Sequence, residues 1–383
     1  MKKIFITIIF LFMLINNVYG SEIDLAKNAE SAILLETSTG KIIYEKDIHT
    51  KRSPASMTKI MTLLLTMEAL DNEIIHLDDK VTISKNASSM GGTQIFLEEG
   101  SSVDVETLIK GISIASANDA AVAIGEFIGG TEENFVLMMN EKAKELGCKN
   151  TNFKNPHGLD EKDHYTSAYD LSLIAKELLK HEKILKYTST YEDYINVSGE
   201  NHWLVNTNKL VRFYKGIDGL KTGYTDNAKY CLTATMKKNN MRLLTIVMKE
   251  DTKDNRNNDT IAMMEYGFSQ YGVENVILKD EYEDKIIINN AKKREVKYYL
   301  IEDVNIISKK GNRDIDYKID KELYNVKAPI SKNTKVGKLK ITYDNVVYEY
   351  DLVVKEDVEK ANLFNVIYSV FKDMISGVKL LNK

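Results

Sequence analysis

The sequence lacks several features that define common classes of protein. Only Cys148 and Cys231 occur, far apart in the chain, so no disulfide framework is indicated and lone buried thiols are the favoured interpretation. The six histidines are scattered, without a His-Glu-x-x-His motif or a Cys/His cluster, so we expect no metal site and no cofactor. A formal net charge of -4 implies no dense cationic surface and argues against nucleic acid as a partner.

Long apolar runs are also scarce, apart from one near the amino terminus. Lys2 and Lys3 precede an apolar run from Ile4 to Ile15, and the small residue Gly20 precedes Ser21. A short basic segment, a short apolar segment and a small residue are typical of a secretory signal, and the run is short for a membrane span. We predict a signal peptide at 1–20 and export to the outer face of the cytoplasmic membrane, with a buried strand or a membrane anchor as the alternative.

The remaining chain has the composition of a globular protein of more than one domain. It has 383 residues, of which 43% are apolar and 28% charged. Residues 31–46 and 218–249 predict antiparallel hairpins, and helical patterns dominate between about 100 and 180. A further helix is expected over 259–272. Strands followed by a helical block and then by strands indicate an α+β domain, which we expect over 21–275.

The residue pattern changes in the carboxyl-terminal third of the chain. Short runs of β-forming residues separated by polar turns predict a small all-β domain over 276–355. Residues 356–383 then place apolar side chains at helical spacing, which predicts an amphipathic helix lying on a membrane surface. Its apolar positions are Leu363, Phe364, Ile367, Val370, Phe371, Met374, Val378 and Leu381. The alternative is an ordinary helix docked on the β-domain.

Reactive chemistry is expected where a hydroxyl and an amine begin a buried helix. The segment PASMTKIMTLLLTMEAL predicts a helix that is apolar on nearly every side, with Ser53 as its N-cap and Pro54 in the first turn. The spacing of Ser56 and Lys59 places both side chains on one helical face. A poorly solvated lysine has a lowered pKa, so its neutral amine can accept the serine proton.

Two further segments carry candidate groups. Ser116 and Asn118 lie on a connector between helical patterns, where a hydroxyl and an amide can relay a proton and hold a substrate amide, although helix capping is the structural alternative. Lys221 and Thr222 lie on a predicted strand, with Gly223 next. Strict alternation would point these two side chains to opposite faces. Both can serve one carboxylate if the strand is a sheet edge along which the substrate lies, with Gly223 leaving room for it.

The three elements occur in the order Ser-x-x-Lys, Ser-x-Asn, Lys-Thr-Gly, each in a fitting context. The segments SPASMTKIMT, ASANDAA and DGLKTGYT, with NPHGL and YCLTAT, resemble the low-molecular-mass penicillin-binding proteins, specifically D-alanyl-D-alanine carboxypeptidases. The resemblance covers residue 30 to about 275 closely. It implies a β-lactamase/transpeptidase-like catalytic domain followed by a small all-β domain and a terminal helix. The chain looks most similar to the subgroup of endospore-forming Gram-positive bacteria, which implies a sporulation role.

Carried over residue by residue, the resemblance implies a serine acyl-enzyme that removes the terminal D-alanine of peptidoglycan stem peptides and is acylated by β-lactams. Ser56 would be the nucleophile, Lys59 its base and Ser116 a proton relay. Asn118 would bind the substrate amide, and Lys221 and Thr222 its carboxylate. The backbone N–H groups of Ser56 and of Tyr224, after Gly223, would form the oxyanion hole. Arg256 falls where some relatives have a functional arginine. Ala228-Lys229 departs from the Ala-Gly often found there.

Three alternatives remain at this point. A class A β-lactamase shares the three motifs, but this chain has Phe153-Lys154-Asn155-Pro156 where a Glu-x-x-x-Asn motif would be expected. A D,D-endopeptidase or a transpeptidase would form the same acyl-enzyme and differ only in the acceptor. A non-catalytic wall-binding or penicillin-sensing module would not need the full set of Ser56, Lys59, Ser116 and Lys221.

Overall fold

The structure, a computed structural model, describes residues 23–311 and 316–362. The predicted signal peptide lies outside the described residues, as does most of the predicted terminal helix. Within the described ranges, no helix combines the length and the hydropathy needed to cross a membrane. The two cysteines are unpaired, as expected, with Cys231 buried and Cys148 half-buried.

The described residues form sixteen strands. They are β1 (Ser31–Glu36), β2 (Ile42–Lys46), β3 (Lys80–Thr82), β4 (Ser102–Asp104), β5 (Glu192–Val197), β6 (Glu200–Val205), β7 (Ile217–Thr225), β8 (Lys229–Lys238), β9 (Met241–Glu250), β10 (Tyr271–Ile277), β11 (Glu283–Ile287), β12 (Glu295–Leu300), β13 (Val304–Lys309), β14 (Lys318–Leu323), β15 (Lys335–Tyr343) and β16 (Val346–Val354).

The helices are concentrated in the first two thirds of the chain. They are α1 (Lys59–Asp71), α2 (Lys85–Ser88), α3 (Val105–Lys110), α4 (Asn118–Gly129), α5 (Glu132–Glu145), α6 (Ala168–Leu178), α7 (Leu185–Thr188), α8 (Leu210–Phe213) and α9 (Lys253–Gln270). A π-helix, Gly111–Ala115, continues α3, and 3-10 turns cover Ala55–Thr58, Glu182–Ile184 and Lys279–Glu281.

The predicted catalytic domain, here called the catalytic unit, is built around one antiparallel sheet with the order β2-β1-β9-β8-β7. Every residue of β1 is buried, because alternate side chains enter two different cores. Ile33 and Leu35 pack with α1, α4 and α6, whereas Ala32 and Leu34 pack with α9 on the other face. Helices therefore cover both faces of the sheet, and the predicted α+β class and both hairpins are confirmed.

Helix α1 runs through the middle of the larger core. Ten of its 13 residues are buried, which explains why its sequence is apolar on every side. The expected N-cap is wrong. A 3-10 turn precedes α1, and the Ser53 hydroxyl donates instead to Asp160 Oδ1 at 2.9 Å. Helix α9 also begins earlier than expected, at Lys253, because Thr252 caps it by accepting from the Asn255 amide.

The all-β domain is confirmed. A five-stranded sheet, β11-β12-β16-β15-β14, and the pair β10-β13 enclose a separate apolar core. Strand β10 begins at Tyr271, before the expected boundary at 276. Residues 356–362 are extended rather than helical, since Val358 pairs with Ile330 and Lys360 with Ala291. This part of the predicted terminal helix therefore belongs to the β-domain, and 363–383 lie outside the described residues.

Candidate active site

Ser56 lies in the 3-10 turn that leads into α1, and glycines allow two other segments to approach this turn closely. A Cβ on Gly158 would lie 1.9 Å from the carbonyl oxygen of Ala55. A Cβ on Gly223 would lie 2.8 Å from the carbonyl oxygen of Pro54. Gly223 was expected to leave room for the substrate, but the room it leaves is taken by the turn that carries Ser56.

Lys59 follows Ser56 by three residues and is fully buried. Its Nζ atom lies 3.1 Å from Ser56 Oγ, 2.7 Å from Asn118 Oδ1 and 2.6 Å from the carbonyl oxygen of His157. Burial, followed by the charge of Lys221, holds the pKa of this amine well below its usual value. The expected pairing of the hydroxyl with a desolvated amine is present.

Ser116 and Asn118 lie where the π-helix meets α4. Ser116 ends the π-helix in the left-handed region, with φ +69°, and its side chain is buried. Asn118 begins α4, and its Nδ2 donates to the Gly91 carbonyl at 2.8 Å while its Oδ1 faces Lys59. An amide nitrogen carries two hydrogens, so a second Nδ2 hydrogen remains besides the one donated to Gly91.

Lys221 and Thr222 lie on β7, which is an edge strand as the sequence required. Lys221 is buried and its Nζ donates to the backbone carbonyl of Thr222 at 3.1 Å. Burial, followed by the charge of Arg256, lowers the pKa of Lys221 to about 7. The Thr222 hydroxyl bonds the Thr207 hydroxyl at 2.7 Å. The charge of Lys221 is the second cause of the lowered pKa of Lys59, so the two amines are close enough to interact electrostatically.

The remaining candidates, Tyr224 and Arg256, lie on β7 and on α9. Arg256 is buried, and its guanidinium donates to Asn257 Oδ1 at 2.9 and 3.2 Å. Tyr224 is half exposed and its ring lies 4.6 Å from that of Tyr230. Lys229, which departs from the expected glycine, has φ +54°. Glycine adopts that conformation without strain, which explains the preference for it at this position.

Two groups at the site were missed from the sequence. His157 was given no role there, yet its backbone carbonyl accepts a hydrogen bond from Lys59 Nζ. Its buried imidazole has a pKa of about 3 because of burial, followed by the charge of Lys59. Asp119, next to Asn118, accepts from the backbone N–H groups of a neighbouring loop. No motif in the sequence singled it out.

Thr207 is a third residue that the sequence did not signal. Its hydroxyl bonds the hydroxyl of Thr222 on β7, and its backbone N–H donates to the Ile114 carbonyl at 3.1 Å. These two hydrogen bonds fix the segment before Ser116 beside the edge strand. Thr207 therefore connects the segment that leads to Ser116 with the strand that carries Thr222.

Together, the fold and the pocket define a serine hydrolase of the Ser-x-x-Lys class. The family model of the peptidase S11 D-alanyl-D-alanine carboxypeptidases matches residues 20–252, and that of the penicillin-binding protein 5 C-terminal domain matches residues 271–360. The chain belongs to the D-alanyl-D-alanine carboxypeptidase family, peptidase S11. This membership sets the class A β-lactamase alternative aside.

Individual relatives agree with this assignment. The chain is 47% identical to the D-alanyl-D-alanine carboxypeptidase DacF of Bacillus subtilis over 91% of each protein. It is similar to the crystal structure of penicillin-binding protein 5 from Haemophilus influenzae, with a TM-score of 0.69, 30% identity and coverage of 87% of this chain and 98% of that one. Penicillin-binding protein D2 from Listeria monocytogenes in its cefotaxime-bound form gives a TM-score of 0.58 at 31% identity, covering 63% and 97%.

Proposed function

We propose that this carboxypeptidase acts through an acyl-enzyme on Ser56, with neutral Lys59 as the base, and releases the terminal D-alanine of peptidoglycan stem peptides. The observation that supports this most strongly is the position of the Lys59 amine, fully buried and 3.1 Å from the Ser56 hydroxyl. General-base assistance of this kind contributes roughly a hundredfold to ten-thousandfold in rate.

The hydrogen bonds around Lys59 also fix the direction of its lone pair. A neutral amine has two hydrogens and one lone pair. Two carbonyl oxygens, on Asn118 and His157, lie 2.7 and 2.6 Å from Nζ and accept the two hydrogens. The lone pair is then left for the Ser56 hydroxyl, which donates its proton to Lys59 as Oγ attacks.

The remaining residues handle the substrate and the leaving group. Ser56 Oγ bonds to the carbonyl carbon between the two D-alanines while its proton moves to Lys59. The C–N bond then breaks and D-alanine leaves, with its amine protonated through Ser116. Lys221 and Thr222 hold the terminal carboxylate, and the N–H groups of Ser56 and Tyr224 stabilise the oxyanion, each worth about 3 kcal/mol. Water hydrolyses the ester and restores Ser56.

A β-lactam would acylate the same hydroxyl, because its strained amide presents a carbonyl carbon to Ser56 in the same way. Penicillin-binding protein D2, one of the relatives above, has a structure in a cefotaxime-bound form. We therefore propose β-lactams as covalent inhibitors of this chain. D,D-Endopeptidase and transpeptidase reactions would use the same acyl-enzyme with a crosslinked substrate or an amine as acceptor.

Product analysis on purified muropeptides tests the proposal. We expect free D-alanine and stem peptides shortened by one residue, and no product from the Ser56→Ala variant. Fluorescent penicillin should label the wild-type protein and fail to label Ser56→Ala. Cleaved crosslinks or new crosslinks in place of free D-alanine would contradict the carboxypeptidase assignment and favour the endopeptidase or the transpeptidase.

We also propose that the protein is exported and held at the outer face of the cytoplasmic membrane through residues 363–383. This rests on the amino-terminal pattern, on the apolar spacing of the last residues and on a family that acts on the cell wall. A chain ending after residue 362 keeps the paired Val358 and Lys360, so it should be active and free of membranes. Persistent membrane association of that truncated chain would contradict the anchor. The sporulation role stays a prediction.

A further inference from the structure

Phe96 is held in an unfavourable conformation that leaves its ring in solvent. Its φ is +60°, in the left-handed region that bulky side chains rarely occupy, and its side chain is 67% exposed. A strained backbone and an exposed aromatic ring both cost free energy, so neither is explained by stability. Strain of this kind is concentrated at functional sites.

The cause of the strain lies next to the catalytic residues. The buried carboxylate of Asp119 accepts from the backbone N–H groups of Ile95 and Leu97, which flank Phe96, at 3.1 to 3.2 Å. Asp119 directly follows Asn118, whose own N–H donates to the Thr93 carbonyl at 2.7 Å. The contacts that place Asn118 beside Lys59 therefore also turn Phe96 outward.

The Phe96 ring reaches a second element of the site. Its centroid lies 6.4 Å from that of His202, and the two planes are inclined by 29°. His202 belongs to β6, which contacts the π-helix that ends at Ser116. Phe96 and His202, here called the aromatic shelf, therefore lie beside the segment that carries Ser116 and Asn118.

We propose that the aromatic shelf receives the alkyl side chain of the substrate residue that precedes D-Ala-D-Ala. The inference rests on the proposed function, in which Asn118 binds the amide next to that residue. A lysine-like side chain suits this surface, because its methylene groups pack on rings while its amino group stays in water. The aromatic shelf thus determines specificity beside the residues that bind D-Ala-D-Ala.

The test compares two peptides that differ only at this position. D-Alanine release is measured with acetyl-L-Lys-D-Ala-D-Ala and with acetyl-L-Ala-D-Ala-D-Ala. In Phe96→Asn we expect kcat/KM to fall about tenfold for the lysine peptide and to stay within about twofold for the alanine peptide. Asparagine tolerates positive φ, so the loop should keep its shape. Diacetyl-L-Lys-D-Ala-D-Ala should behave as the lysine peptide if the methylene groups make the contact.

Matched variants separate this effect from general damage. Trp203 is 59% exposed and neighbours His202 in sequence, but alternation places it on the other face of β6, so Trp203→Ala should leave both peptides unaffected. Phe96→Gly, which relieves the strain, should show the same loss of selectivity without a lower melting temperature. Fluorescent penicillin should still label Ser56 in each variant, which shows that the catalytic residues remain in place.

The outcomes distinguish this inference from the proposed function. Equal loss with both peptides, or no loss with either, would overturn the aromatic shelf while leaving the carboxypeptidase intact. Failure of the wild-type protein to release D-alanine from any of the peptides would instead overturn the proposed function, and the shelf with it.

Discussion

The catalytic unit and the β-domain place their polar side chains in opposite ways. Among the described residues, the catalytic unit buries the cations Lys59, Lys221 and Arg256 with several acids and amides, whereas Ser308 is the one polar residue beyond Gln270 in the buried set. The β-domain instead pairs its charges at the surface, as in Lys285–Glu295 at 2.6 Å. Burying charge is costly, so its concentration in one unit marks where function rather than stability selects the residues.

The largest expected effect is on the buried amine. Lys59→Met should reduce the rate of penicillin acylation by about a hundredfold to ten-thousandfold, because no base remains beside Ser56. Stopped-flow measurement with a fluorescent penicillin provides the rate. Lys297→Met is the matched control, since Lys297 lies in the β-domain, half exposed and paired with Glu283. Equal acylation rates in wild type and Lys59→Met would show that the buried lysine is no more important for function than a surface lysine of the β-domain.

A buried acid provides the next test. Glu250 is fully buried beside Asp259, and burial, followed by the charge of Asp259, raises the pKa of Glu250 to about 8. Asp259 accepts from the Asn28 backbone and side-chain amides and from the Ala29 amide. Neither carboxyl oxygen of Glu250 has a hydrogen-bond partner among the described residues, so burial and the neighbouring charge of Asp259 favour its neutral form.

Between pH 4.5 and 8, the folded protein therefore keeps a proton on Glu250 that the unfolded chain has released, because the ordinary pKa of this carboxyl is 4.5. This contribution to stability is complete below pH 4.5 and is lost as the pH rises towards 8, by about 1.4 kcal/mol per unit. Glu250→Gln replaces the titrating carboxyl by a neutral amide of the same shape and should remove this slope in urea unfolding between pH 5.5 and 8.5. An identical slope in both proteins would contradict a protonated Glu250 in the folded state. Glu295→Gln, in the β-domain, should leave the slope as in wild type.

A smaller effect is expected on the alkaline side of the activity profile. Lys221 must be charged to bind a carboxylate, and its pKa is lowered to about 7 by burial, followed by the charge of Arg256. Activity should therefore fall as the pH rises through the pKa of Lys221. Replacing Arg256 by glutamine should move this limb of kcat/KM upward by up to about one pH unit. An unchanged limb would show that the guanidinium does not act on Lys221.

The smallest effect is expected at the surface of the β-domain. Lys285→Met breaks an ion pair whose side chains are 54% and 61% exposed. Solvent screens such pairs, so the free energy of unfolding should change by less than about 0.5 kcal/mol, with activity unaffected. Chemical denaturation measures the change. A decrease of several kcal/mol in the free energy of unfolding would show that this surface ion pair contributes substantially to the stability of the β-domain.

Much of the site could be predicted from the sequence because it lies in short local patterns. Ser56 with Lys59 follows from helical spacing, and Lys221 with Thr222 follows from an edge strand. The carbonyl of His157 could not be predicted, since a backbone oxygen has no signature in sequence and Lys59 lies 98 residues away from it. Only the resemblance of the NPHGL segment signalled that this loop belonged to the site.

The incorrect details have physical reasons as well. Ser53 was expected to cap α1, but a 3-10 turn over Ala55–Thr58 separates it from the start of that helix. Residues 356–362 were included in a helix whose apolar spacing begins only at Leu363, whereas pairing of Val358 with Ile330 extends the β-domain. A partner distant in sequence decided the second case.

The most direct measurement is the titration of Lys59 itself. NMR of protein labelled with ¹³C at lysine Cε, with Lys59→Met to assign the signal, reports the protonation state of this amine at each pH. We expect a neutral amine at pH 7, with a pKa well below the ordinary value of 10.5. A Lys59 signal that remains that of a charged ammonium up to pH 10 would contradict the account.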